Sequence, residues 1–339
     1  YKGYGPIYRT KFDDGKEYKE EVKDFESYEK YLDWVKENEP GIQPFEVYSE
    51  GTAADDNWMY INGFCNSKGA TNDFLFFDPK EANPKLFTYY EYPQVKDYLS
   101  MMKRWNEKGF FSKSALSDTD ATKTQNGVAA TRLHNIDTYG QYYSMHPDWN
   151  FKFADFVKYE AHLPYTQDAL AISHTSKNPE RALAFWNLVT TDREVYDAFY
   201  FGVLGTSYEL DDKGRFTMLD TNNYNTSAMW AVRTNEFHRM DAKYPDSYET
   251  LRKEWEEKIK ADDTAEKFSS FIIDTSKIET EYAACNSVHQ QYWWPLELGY
   301  TDIDKGLAEY EAKMKAAGVD KVRAEIQRQL DEYVAGLGK

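Results

Sequence analysis

Three short stretches pair a flat ring with polar reach. Trp58 and Tyr60 follow Asp55-Asp56 in a polar stretch, and His134, Asn135 and Tyr139 stand just past the weakly alternating run Val128 to Leu133. Trp230, Arg233 and Asn235 fall within six residues of one another in NYNTSAMWAVRTNEF. Rings of this kind cover the C–H faces of pyranose sugars, and amides, imidazole and guanidinium satisfy the hydroxyls around them. Trp230 could instead pack between lobes or under a helix, and Trp293-Trp294, just before Pro295, read more simply as core. The aromatic share of 17% exceeds what core packing alone requires and leaves rings to line a groove.

Other chemistries lack their signatures. The six histidines (134, 146, 162, 174, 238 and 289) show no H-x-x-x-H spacing, and the two cysteines form no C-x-x-C, so no metal site is expected. Asp118-Thr119-Asp120 opens like a calcium loop, but Lys123 stands where glycine is needed and Ala129 where a bidentate glutamate belongs. No G-x-S-x-G elbow, P-loop or dinucleotide fingerprint occurs, so neither a nucleophile nor a cofactor is expected. Asp55-Asp56 beside Trp58 is the best acid-and-platform candidate, but among 58 acidic residues some pair always falls close, and that carries no information.

A net charge of -17 repels phosphate backbones and anionic surfaces, which argues against nucleic acid and suits a neutral polyol; solubility would explain it equally well. No run approaches the ~20 apolar residues that span a bilayer. Cys65 and Cys285 are too few for a disulfide framework in a chain of 339 residues, whose length suits two lobes.

The elements that must position these groups alternate between strands and helices. Ile7-Tyr8 reads as a strand, and Phe25, Tyr28, Leu32 and Val35 as a helix capped by Asp24 and stopped at Pro40-Gly41; a strand is expected over Ile42 to Tyr48. Pro93 opens and Gly109 closes a second helix. Strands follow at Val128 to Leu133 and Asn150 to Val157, and Gly202 to Asp220 reads as a hairpin. The clearest stretch is DALAISHTSKNPERALAFWNLVTTD. In it a strand from Ala169 to Ile172 leads to a helix capped by Asn178 with Pro179 at its first position, whose face of Ala182, Phe185, Trp186 and Val189 must pack, most simply on the sheet that strand joins. Asp246 and Glu249 start another helix, and stripes at Ile278–His289, Leu307–Met314 and Val322–Leu330 make the last quarter helical.

Three ordered segments resemble the extracellular solute-binding proteins of ABC importers, family 1-like, and in the tail their LipO-type lipoprotein subgroup. They are IYRTKF with DFESYEKYLDWVKENEPGIQPF, SKNPERALAF, and DTSKIETEY with KAAGVDKVRAEIQRQLDEY. The resemblance implies an α/β, periplasmic-binding-protein-like type II fold, two lobes with a hinge and a helical C-terminal tail. Residues 1–163 would form the second lobe, 164–275 the return segment of the first, and 276–339 helices packing on the second. It implies capture of an extracellular carbohydrate, an oligosaccharide, by a monomer that hands it to an ABC transporter permease without breaking a bond. It also implies a preceding segment with a lipid anchor that places the protein at the bacterial cell surface. In such relatives the loop after the His134 strand points into the cleft, a Trp precedes an Asn near Trp230, and the helix of Tyr282 reaches toward the ligand, which adds Tyr282 to the candidates. A glycoside hydrolase and a peptide-binding surface lipoprotein are the rival readings.

Overall fold

The computed structural model describes residues 4–47, 54–67, 73–155, 170–224, 233–261, 264 and 266–337. Strand β1 (Tyr4–Tyr8) is buried along its whole length, and Gly5 at its second position has no alternative: a Cβ there would lie 2.2 Å from the Ala154 carbonyl oxygen. Helix α1 (Phe25–Asn38) begins at Asp24, whose carboxylate accepts from the Ser27 amide while the Ser27 hydroxyl oxygen accepts from the Asp24 amide. Strand β2 (Gln43–Phe45) follows, then α2 (Ala54–Ile61), the short pair β3 (Cys65–Asn66) and β4 (Phe76–Phe77), and α3 (Val95–Lys108). Gly109 ends α3 in the left-handed conformation, φ 71°, which only glycine adopts without cost. Strand β5 (Ala129–Asn135), α4 (Ile136–Met145) and β6 (Lys152–Phe153) complete the first part.

One four-stranded sheet orders these strands β2-β5-β1-β6; β1 runs antiparallel to β5 and β6, and β2 parallel to β5. Register pairs Tyr4 with Asn135 and Tyr8 with Thr131, so the start of β1 and the end of β5 meet at one end of the sheet's two inner strands.

The second part is helix α5 (Pro179–Thr191), α6 (Arg193–Tyr200), the hairpin β7 (Tyr208–Leu210) and β8 (Phe216–Met218), and α7 (Asp246–Ala261). Two expectations change here. Asn178 makes no side-chain bond to the first turn of α5; Pro179 alone marks its start. Leu170 to Ile172 is not a strand, since no described segment runs beside it to take its backbone groups, and Ala169 lies outside the described residues. Among the described residues the outer face of α5 is therefore uncovered: Leu183 is 63% exposed, Phe185 45% and Leu188 49%, and only Val189 is buried. The tail is α8 (Glu279–Val288), a π-turn at His289–Trp293, α9 (Trp294–Glu297), α10 (Ile303–Ala317) and α11 (Val319–Gly336).

Three apolar cores result. The largest unites residues between Tyr8 and Ala154 with Phe268 to Leu330, so the tail helices share a core with α1, α3 and β2 through β5. A second gathers Ile7, α4, Phe151 and the α7 residues Tyr248 and Trp255; a third joins α5, α6 and the β7–β8 hairpin. Helix α7 thus packs across α4, with the Trp255 indole donating to Asp155. Cys65 and Cys285 are separate buried thiols. Among the described residues no helix is long and apolar enough to cross a membrane.

His289 gives this core a pH dependence. It is 1% exposed, its Nδ1 lies 2.7 Å from the Tyr310 hydroxyl, and its ring stacks with those of Tyr89 and Trp293. Burial pushes its imidazole down to about 3. The unfolded chain protonates this residue near ~6.5 and the folded one does not until far lower, so stability contributed above that value is lost as pH falls, by about 1.4 kcal/mol per pH unit. Urea unfolding of the wild type and of His289→Phe at about pH 7.5 and about pH 5.5 checks this: the wild type loses more on acidification than the variant, and equal losses would refute it.

Candidate functional site

The end of β5 is where the sheet delivers polar groups to an edge, the usual place for ligand groups in α/β proteins. Residues through Leu133 are buried; His134 is the first on the strand to emerge. Its ring lies 6.4 Å from that of Tyr4, brought there by the β1–β5 pairing, and its Nδ1 is 2.7 Å from the Thr138 hydroxyl. Tyr60 projects from α2 to place its ring 5.7 Å from Tyr4, and its hydroxyl oxygen accepts from the Asn66 amide at 2.8 Å. Tyr4 and Tyr60 form a small apolar cluster of their own, apart from the three cores. Two rings, an imidazole and an amide therefore converge from four elements, of which α2 and β3 are neighbours in sequence and β1 and β5 lie on either side.

One helical turn away the first turn of α4 carries a charged network. The Asp137 carboxylate accepts from the Tyr248 hydroxyl and, at 3.1 Å, from the Arg233 guanidinium. Burial alone would raise this carboxyl; Arg233 first, then the Tyr248 hydroxyl and Arg252, hold it below the ordinary carboxylate range. On His238 burial and the same arginines act in one direction: burial first, then Arg233 and Arg252, push it down to about 3. It is neutral at physiological pH.

Not every expected residue joins this edge. Asn135 is 9% exposed and caps α4, its side-chain oxygen accepting from the Thr138 amide at 3.0 Å. Tyr139 is 2% exposed and belongs to the core between α4 and α7, its hydroxyl 2.7 Å from that of Ser247. With Tyr143, Phe153 and Leu251 it lines a separate surface cavity of about 480 Å³. Trp58, expected in a loop, lies on α2 between Phe25 and Tyr98, ring centroids 5.1 and 5.2 Å away, and its buried indole N–H finds no acceptor among the described residues. Tyr282 sits on α8 with its ring 5.6 Å from Phe74, against the main core. Arg233 is in the Asp137 network, Asn235 is exposed beside His238, and Trp230 lies outside the described residues. Asp118 and Asp120 are used within their own loop, by Lys123 and Thr122.

Sequence reasoning missed Tyr4, Asn66, Asp137 and Tyr248. Tyr4 carried a usable signal, since an antiparallel partner for the His134 strand brings Tyr4-Gly5 opposite its end. The Asp137–Tyr248 contact spans 111 residues and had none.

Comparison with known proteins agrees with this architecture. Residues 267–335 match a family described as a domain of unknown function, DUF3502. A carbohydrate ABC transporter substrate-binding protein of Streptococcus pneumoniae is 25% identical over 328 residues; the match takes in 92% of this chain, which spans 63% of that relative's length. The crystal structure of the S. pneumoniae N-glycan transport solute binding protein NgtS in complex with Man1GlcNAc superposes with a TM-score of 0.72 at 20% identity, over 98% of this chain and 74% of that one. A solute-binding protein associated with an HMO-binding ABC transporter, from Bifidobacterium longum infantis, superposes at 0.58 and 12% identity, over 98% and 74%. The sheet, the hairpin part and the helical tail are thus those of the two-lobe solute-binding fold, and the chain is similar over most of its length to a carbohydrate ABC transporter substrate-binding protein.

Proposed function

We propose that the protein binds an oligosaccharide between its lobes, at the β5 edge, and presents it unaltered to the permease of an ABC importer outside the cell. The observation that carries this reading is the cluster of Tyr4, Tyr60, Asn66 and His134 at a strand end, in a chain aligned over nearly its whole length with a carbohydrate substrate-binding protein. Tyr4, Tyr60 and Asn66 are 7%, 3% and 5% exposed and would form the packed support beneath the half-buried His134 imidazole, which would meet the sugar. Trp230, Arg233 and Asn235 would meet the ligand from their segment and Tyr282 from α8; Trp58, Asn135 and Tyr139 would hold the walls. The division at 163 and 275 would set the lobes, and ligand contacts from both favour the closed form. Action as a monomer held at the cell surface by a lipid belongs to the same reading.

Calorimetric titration with a panel of oligosaccharides tests it. A binding sugar is expected, recovered intact, and His134→Ala and Tyr60→Ala each weaken it about tenfold, the worth of about 1.4 kcal/mol of contact. If peptides raise the melting temperature while every sugar is silent, or if the sugar is cleaved, the reading is wrong.

A further inference from the structure

Beside the Asp137 network lies a cavity of about 490 Å³ between α6, the tip of the β7–β8 hairpin, the 233–240 segment and one face of α7. Its charge opposes that of the molecule. In a chain of net charge -17 this wall is built from Arg193, Lys213, Arg215, Arg239, Arg252 and Lys253 against only Glu249 and Glu256. Three of those cations are well neutralised: Arg239 by both oxygens of Asp197 at 3.1 and 2.7 Å, Arg215 by Asp211 at 2.8 Å, and Lys253 by Glu249 at 2.7 Å.

The other three are not. Among the described residues Arg252 approaches a carboxylate no closer than 3.9 Å, at Glu256, and Lys213 no closer than 4.0 Å, at Asp246. Arg193 donates to the carbonyls of Phe237 and Glu236, and its nearest carboxylate oxygen among the described residues, on Asp197, is 4.0 Å away. Carbonyls orient a guanidinium without cancelling its charge. His238 also lines the cavity, and its buried Nδ1 has no hydrogen-bond partner among the described residues. A concave wall with surplus guanidinium charge and an unused imidazole nitrogen focuses a positive field on whatever occupies it.

We infer that this cavity is a binding site for an oxyanion group, a carboxylate or a sulfate, held by Arg193 and Arg252 with Lys213 at the rim and polar contact from Asn235 and His238. Planar guanidinium forks suit both oxyanions, each bond being charge-assisted. The group could arrive as a free ion or on an acidic sugar. The site shares only Asn235 with the residues of the sugar reading; Arg193, Arg252 and Lys213, which carry it, are different ones.

The test uses the full protein, titrated by calorimetry and thermal melt with sodium sulfate against chloride of equal ionic strength, and with glucuronate against glucose. Sulfate, glucuronate or both are expected to bind and to raise the melting temperature above their matched controls. Arg252→Gln and Arg193→Gln should each weaken that binding tenfold or more, whereas Lys30→Gln, which removes the same charge from the exposed Glu26 pair on α1, should leave it unchanged. Circular dichroism of the unliganded variants shows whether each is folded, and either one suffices. Sulfate without glucuronate identifies a free-ion site, and glucuronate without sulfate an acidic-sugar site. No effect beyond the matched controls, or equal binding by folded Arg252→Gln or Arg193→Gln, overturns the inference. Anion binding with every neutral oligosaccharide silent would sink the neutral-sugar reading and leave this one standing.

Discussion

Asp137→Ala is expected to cost about 3 kcal/mol of stability, because it strands a charge as well as removing one. Its carboxylate is 16% exposed and is the only carboxylate paired with Arg233 among the described residues, whose Nε already lacks a partner. The fully buried Tyr248 hydroxyl donates to it as well. Deleting the carboxylate leaves a largely buried guanidinium and a phenol with nothing to bond, and each such orphan carries its desolvation cost. Urea midpoints measure the effect, and Asp137→Ala with Arg233→Met should recover a good part of it, because the double variant leaves no unpaired charge. The pH sign is fixed by the same contacts. A carboxyl held below its ordinary range contributes stability that is complete above the unfolded value of ~3.9 and disappears as pH falls through the folded value, so the gap between wild type and Asp137→Ala should close in acid. A loss under about 1 kcal/mol at neutral pH would mean the network is ornamental.

Trp293→Ala is expected to cost about 4 kcal/mol. The indole is fully buried at the π-turn after α8, stacked on Tyr89 with centroids 4.1 Å apart and planes 15° apart, and packed on Tyr310 at 5.6 Å. It therefore joins the tail to the part of the chain carrying α3. Because both sides share one core, the variant should lower the denaturation midpoint as a single transition seen alike by tryptophan fluorescence and circular dichroism. Separate early loss of the tail helices, with the rest unaffected, would show that the tail is an appendage. Trp293→Phe keeps a ring on Tyr89 and should lose well under half as much.

Both predictions rest on contacts of different legibility. The tail was readable because each helix carries its own apolar stripe and its own stop, as at Gly318, where φ is 98° and α10 ends. Helices α1 and α3 were readable for the same reason, from Asp24 and from Gly109. Helix α2 was not: Asp55-Asp56-Asn57 looks like a polar loop, and nothing local shows that Trp58 has Phe25 and Tyr98 to lie against. The stretch at Leu170 to Ile172 failed differently, since apolar residues propose a strand but only a neighbour makes one.

The site divides along the same line. His134 was legible as the polar residue at the end of an apolar run, a pattern the chain carries within a few residues. That Asn135 serves as a cap and Tyr139 as core depends on the turn into α4 and on α7 packing over it. Local order, then, is what the amino-acid sequence determined by itself: the helices that cap and stop themselves, the alternation of strands and helices, the abundance of rings and the acidic surface. Tertiary structure alone decided which rings meet, which charges are left unneutralised and which tryptophan is buried. Those outcomes depend on segments tens to hundreds of residues apart, and the free energy of a contact belongs to both partners, so neither segment encodes it alone.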